Sequence, residues 1–202
     1  MNKTNKKFSL WLSKTDIKYD SSINLSEYSY FKSGGLAELI LFPTNHEELV
    51  ECIKNLNEFE VLFRVIGETT NLIFLDDVNY SCLISTSKIT YLHFDEKTEE
   101  IVSDCGTKLP ALSRFALSHL ITGMEGLEGI PGSVGAAVFM NAGAYGDEIK
   151  NTLVSVDVIL KDGAIKNYKS HELELSHRNS IFRTKKRDEI ISRCYFKGNK
   201  GD

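Results

Sequence analysis

Gly126–Gly146 reads GLEGIPGSVGAAVFMNAGAYG and holds six of the chain's 14 glycines. Glycine takes positive φ freely, and it lets a backbone come close to a bulky neighbour. Pro131 suits the first turn of a helix, where its missing N–H would have no partner anyway. Ser133, Gly135, Ala136 and Ala137 follow, all small, so another surface can lie almost on this backbone. The amides of such a turn suit an anion such as a diphosphate. A tightly packed loop and helix without a ligand is the competing reading, because glycine also marks turns.

Outward from this stretch the chain alternates between strand and helix patterns. Leu36 to Phe42 (LAELILF) reads as a buried strand ended by Pro43. Thr44 as N-cap and Glu47 as its capping-box partner predict a helix with Leu49, Val50, Ile53 and Leu56 on one face. Val61 to Ile66 is the next strand, completing a βαβ unit. Gly67 to Asn71 (GETTN) is the turn after it, and extended structure resumes at Leu72. Ser81 to Ser85 and Ile101 to Cys105 read as strands and Lys108 to His119 as a helix. Leu153 to Leu160 alternates, and Asp162-Gly163 signals a hairpin before Ala164 to Tyr168. These breaks predict an N-terminal arm at residues 1–25, a first lobe at 26–87 and a second at 88–202.

Composition sets the outer limits. The chain has 202 residues, 42% hydrophobic and 26% charged, enough for one good core or two small lobes. A net charge of −4 argues against broad contact with nucleic acid. The four cysteines are widely spread and form no C-x-x-C pair, so no metal site is expected. They read as buried, reduced residues of a cytoplasmic protein. No apolar run long enough to span a bilayer is present, and no secretory leader is expected after the N-terminal lysines.

Four ordered segments resemble one family. YFKSGGLAELILFP (residues 30–43) is similar to the entry segment of the UDP-N-acetylenolpyruvoylglucosamine reductases. GETTNLIF stands where that family has a GxGSNLL loop, GIPG…NAGAYG matches its central motif, and HRNSIF (His177 to Phe182) stands at its Y-R-x-S-x-F motif. The resemblance covers roughly residues 25 to 200. It implies an α+β, two-lobed FAD-binding fold of the PCMH/vanillyl-alcohol-oxidase type, with non-covalent FAD in a cleft between the lobes. No G-x-G-x-x-G lies between a strand and a helix, which speaks against a Rossmann domain.

The resemblance also assigns residues. Gly67, Glu68, Thr69, Thr70, Asn71 and Leu72 would meet the FAD diphosphate; Glu68 departs from the family and is favourable there only if it points to water. The loop has no histidine for covalent flavin attachment. Gly129, Ile130, Pro131, Gly132, Ser133, Gly135 and Ala136 would pack on the flavin and ribityl chain, with Asn141, Ala142 and Gly143 close by. Tyr145 either faces the ligand or is an interior tyrosine with a satisfied hydroxyl. Arg178 is the catalytic candidate, matching an arginine that stabilises charge as hydride adds to the substrate's double bond. His177 stands where the family has tyrosine.

The family's reductases continue into a substrate domain that carries a proton-donating serine and an assisting glutamate. Nothing here matches either. Three readings stay open. The first is a flavoenzyme that passes hydride from NAD(P)H to an enolpyruvyl or related sugar nucleotide, the missing groups coming from a partner protein or a second copy in a homodimer. The second is a non-catalytic FAD-binding module or partner subunit. The third is the FAD half of a longer enzyme.

Overall fold

A computed structural model describes residues 3–201. They form two units: residues up to Lys88 together with Lys161–Ala164, and Ile89–Leu160 together with the residues from Ile165 onward.

The first unit is built on a four-stranded sheet in the order β1-β2-β4-β3, with β1 Lys18–Asn24, β2 Leu36–Phe42, β3 Phe63–Ile66 and β4 Cys82–Ser85. β1 runs antiparallel to β2, while β2 and β3 both run parallel to β4. The predicted βαβ unit therefore does not pair its own two strands. β4 lies between them because all four of its residues are buried, as a central strand covered on both faces requires. Leu25, Ala37, Ile40, Ile66, Phe74 and Leu83 form one core cluster.

Residues 18–24 were expected in a polar arm and instead form an edge strand. β1 exposes six of its seven side chains, so it carries no apolar alternation and is held by main-chain pairing with β2. Ahead of it, α1 (Lys3–Leu12) docks through aromatic contacts of Phe8 and Trp11 with Phe59 and through Trp11 Nε1 donating to Glu51 Oε1 at 2.8 Å. A one-turn α2 (Leu25–Tyr28) follows β1.

The helix α3 (His46–Glu58) begins one residue later than its sequence signal. Asn45, not Thr44, is the N-cap: its Oδ1 accepts from the Glu48 amide at 2.9 Å, and Glu48 Oε2 accepts from the Thr44 amide at 2.7 Å. Asn45 is extended (φ −147°), which aims its carboxamide at the third helical N–H. The buried face is Leu49, Cys52, Ile53 and Leu56, with Cys52 in the place expected for Val50.

The second unit has β5 (Leu92–Asp95), β6 (Glu100–Asp104), α4 (Leu109–Ser118), β7 (Ile121–Thr122), α5 (Val134–Phe139), β8 (Gly143–Ala144), β9 (Asp147–Glu148), β10 (Leu153–Ile159), β11 (Ile165–Lys169), α6 (Ile181–Thr184), β12 (Ile190–Phe196) and β13 (Asn199–Lys200). Five of these strands form an antiparallel sheet in the order β11-β10-β12-β6-β5. Two short pairs, β7–β13 and β8–β9, stand beside it. Asp162-Gly163 does lie in the β10–β11 turn, but within the longer loop 160–164, since Ile159 pairs with Ile165. A mixed sheet and an antiparallel sheet, each with its own helices, make an α+β architecture. No helix among the described residues is long and apolar enough to cross a membrane.

Candidate functional site

In the first unit the turn Gly67 to Leu72 leaves the end of β3, where Thr86 donates to the Ile66 carbonyl from both its amide and its hydroxyl. Thr69 is buried and holds φ +55°, and its Oγ1 accepts from the Tyr30 amide at 2.9 Å. The Leu72 amide closes the turn on the Thr69 carbonyl at 3.2 Å. Thr69 is therefore spent on shaping the loop and tying it to Tyr30. Glu68 is half-buried and Asn71 exposed, and both make contacts of their own, as does Thr70. Phe74 anchors the segment in the core, where a Cβ on Gly34 would lie 2.5 Å from the Phe74 Cβ. Extended structure was expected from Leu72. The chain is instead irregular there, leaving Leu72, Ile73, Tyr30 and Phe31 exposed beside the turn.

In the second unit the glycine-rich stretch divides into residues that serve the fold and residues that face outward. The amides of Val134 and Gly135 donate to the carbonyls of Thr107 and Cys105, and the Leu109 amide donates to Gly132, so the stretch lies along residues 105–109. A Cβ on Gly135 would lie 2.8 Å from the Cys105 Cβ, which is why that residue must be glycine. Ser133, Asn141 and Ala142 are buried too. Pro131 is exposed and precedes the Ser133 cap, so it stands outside the helix instead of in its first turn. Gly129, Pro131, Ala136 and Phe139 are exposed, and a Cβ on Gly129 would meet nothing within 4 Å. Ile130 and Gly132 are half-buried, the latter with φ +142°.

Beyond α5 the chain turns through Asn141 into the β8–β9 hairpin. Its two-residue loop is Tyr145-Gly146, with positive φ at both positions, the pattern of a type I′ turn. Tyr145 is 96% exposed, so it is not an interior tyrosine. Gly143 is fixed by close approach, since a Cβ there would lie 2.4 Å from the Asp147 carbonyl oxygen.

Arg178 comes to this hairpin from a separate turn. Ser176 and Asn179 exchange both backbone hydrogen bonds, with His177 and Arg178 at the tip. Only Arg178 of those two has positive φ, +52°, at a position usually given to glycine or asparagine. Its Nη2 donates to the Gly143 carbonyl at 3.0 Å. That partner is neutral, so the bond orients the guanidinium without cancelling its charge. A non-glycine residue in this region costs about 1–2 kcal/mol, a backbone conformation that nine other described non-glycine residues share. Close by, the Lys150 ammonium and then the Asn141 amide hold the Glu148 carboxyl below its ordinary range. Phe139, Glu148 and Lys150 were not singled out from the sequence. Only the β8–β9 hairpin and the exposed face of α5 reveal them.

Residues 37–169 match the family model described as FAD binding domain. The chain belongs to that family. It is 35% identical over 187 residues to UDP-N-acetylenolpyruvoylglucosamine reductase of Streptococcus thermophilus, covering 93% of this chain and 60% of that protein. Against the same-named reductase of Streptococcus pneumoniae the identity is 39% over 165 residues, covering 82% and 54%. The crystal structure of UDP-N-acetylenolpyruvylglucosamine reductase from Thermus caldophilus superposes with a TM-score of 0.75 at 27% identity, over 92% of this chain and 64% of that one. Glucooligosaccharide oxidase from Acremonium strictum, 13% identical with a TM-score of 0.62 over 98% of this chain and 42% of its own, shares the fold. The fold is thus the two-lobed FAD-binding fold of the PCMH/vanillyl-alcohol-oxidase type. The chain spans 54–60% of the length of these curated reductases.

The residues fit that cofactor. Open space at Gly129 and an exposed small and apolar face on α5 (Ala136, Phe139) suit a flat ring and its chain. In the first unit, the 67–72 turn with exposed Leu72 and Ile73 beside it offers both polar and apolar contact.

Proposed function

We propose that this chain is an FAD-dependent reductase that uses NAD(P)H to reduce an enolpyruvyl or related sugar nucleotide in cell-wall or surface-polysaccharide synthesis. The observation that carries the reading is Arg178, an exposed arginine whose guanidinium is oriented by a neutral carbonyl. FAD, bound non-covalently, supplies the two-electron relay between a nicotinamide and an activated alkene. Residues 67–72 would hold its diphosphate, and the outward-facing Gly129, Ile130, Pro131, Gly132 and Ala136, with Gly143, its ring and ribityl chain. Arg178 would hold a fixed positive charge where negative charge develops on the substrate, which stabilises the transition state more than the ground state. Exposed Tyr145 would reach the substrate side of the site. The proton for the alkene carbon, and much of the sugar-nucleotide binding, would come from a partner protein or from a second copy of the chain. Four free, buried cysteines support a cytoplasmic setting.

The visible absorption spectrum, before and after added FAD, tests the first half of this reading. Two flavin bands support it, and a protein that stays colourless with FAD refutes it. Mixing the flavin-loaded protein with NADPH and UDP-N-acetylenolpyruvoylglucosamine tests the second half. Reoxidation by the sugar nucleotide supports the reductase, whereas flavin without turnover favours a binding module or partner subunit.

A further inference from the structure

Asn141 is 1% exposed, and every polar group of its side chain is engaged. Its Nδ2 donates to Glu148 Oε2 at 2.9 Å and to the Ser176 carbonyl at 3.0 Å, and its Oδ1 accepts from the Lys150 amide at 2.9 Å. One carboxamide therefore joins the end of α5, the strand β9 with the turn after it, and the turn that carries Arg178. The Ser176 carbonyl that it holds also accepts the Asn179 amide, the bond that closes the Arg178 turn. Asn141 does this from φ +44°, a region asparagine tolerates better than other non-glycine residues. No other side chain of this size offers two donors and an acceptor. Aspartate would lose both donors and face the Glu148 carboxylate.

We propose that Asn141 is the positioning residue for Arg178: its carboxamide fixes the 176–179 turn to the β8–β9 hairpin, so that the Arg178 guanidinium meets the Gly143 carbonyl in one orientation. This rests on the reading of Arg178 as the charge-stabilising group. Ser180 adds a second tie, its hydroxyl donating to the Phe139 carbonyl at 2.5 Å, which keeps α6 attached to α5 when Asn141 is changed.

The test is Asn141→Gly, which removes the carboxamide and relieves the positive φ, so it folds more readily than Asn141→Ala. Hydrogen exchange on the protein alone should quicken at least tenfold at the amides of Lys150 and Asn179, with the strands β10 and β12 unchanged. Unchanged exchange at those two amides overturns the proposal, whatever the chain catalyses. With FAD, NADPH and UDP-N-acetylenolpyruvoylglucosamine, Asn141→Gly should lower kcat at least tenfold while the FAD Kd stays within about threefold. In an Arg178→Ala background the same change should lower kcat no further. A full additional loss there would mean that Asn141 does not act through Arg178, and overturns the proposal. Wild-type turnover that survives Arg178→Ala would instead refute the reading of Arg178, leaving the exchange result to decide whether Asn141 holds the turn.

Discussion

The Arg178 guanidinium donates to the Gly143 carbonyl at 3.0 Å, bridging 35 positions of sequence. Both ends of this bond sit on tight turns whose backbones have little freedom to relax: Arg178 holds φ +52°, and Gly143 is pressed against Asp147. The chain keeps a bulky cation where glycine would be easier.

That gives a paired prediction. Arg178→Gly should be more stable than Arg178→Ala by about 1 kcal/mol, the backbone cost of a Cβ at positive φ. Both should bind FAD with a Kd near that of the parent, and both should lose turnover. Urea denaturation and an FAD titration measure the two halves. Equal stabilities would show that the turn relaxes without strain, and retained turnover would remove Arg178 from the chemistry.

Gly135 and Gly129 lie six positions apart and should respond in opposite ways. Gly135→Ala forces a Cβ to 2.8 Å from Cys105 and should cost about 1–3 kcal/mol of stability by overpacking. Gly129→Leu enters open space, so stability should stay within about 0.5 kcal/mol as at other exposed positions, while FAD binding weakens by more than tenfold. A Gly129→Leu protein with unchanged FAD affinity would show that the cofactor does not lie over this residue. Gly132 gives no such separation, because φ +142° makes any side chain there a folding defect first.

The cysteines should be silent in the native protein. Burial pushes the Cys82 thiol from 9.0 up to about 12, and drives Cys52 and Cys194 upward as well. Native protein at pH 8 should release no thionitrobenzoate from Ellman's reagent, and denatured protein should release four equivalents. Folding favours the protonated thiol, so this contribution is fully present below pH 9 and falls as pH rises through about 12. A thiol that reacts rapidly in the native state would contradict this.

Asn45→Ala should cost about 1 kcal/mol, the usual loss for an N-cap carboxamide, and Asn45→Asp should restore most of it. Thermal unfolding of the two variants checks the assignment. Thr44→Val should matter less, because the Thr44 contact to Glu48 that survives is a backbone one.

Much of the fold was legible because local chemistry marked it. Buried runs such as LAELILF, the helical spacing of Leu49, Ile53 and Leu56 and the glycine-rich stretch all carry their own signal. The edge strand β1 carried none, because its side chains face water and its pairing uses only main-chain groups. The adjacency of β4 to both β2 and β3 is likewise a property of the assembled sheet.

For the site, residue types alone marked the glycine-rich stretch as a place of close approach, and the resemblance of the motifs to the reductase family nominated the 67–72 turn and Arg178. Which glycine serves packing and which leaves open space was decided only by folding, because a missing Cβ matters through what would occupy its place: Cys105 at Gly135, nothing at Gly129. The hold of Asn141 on the Arg178 turn was equally out of reach of the sequence. A hydrogen bond between Asn141 and Ser176, 35 positions apart, exists only once α5 and the 176–180 segment are packed together.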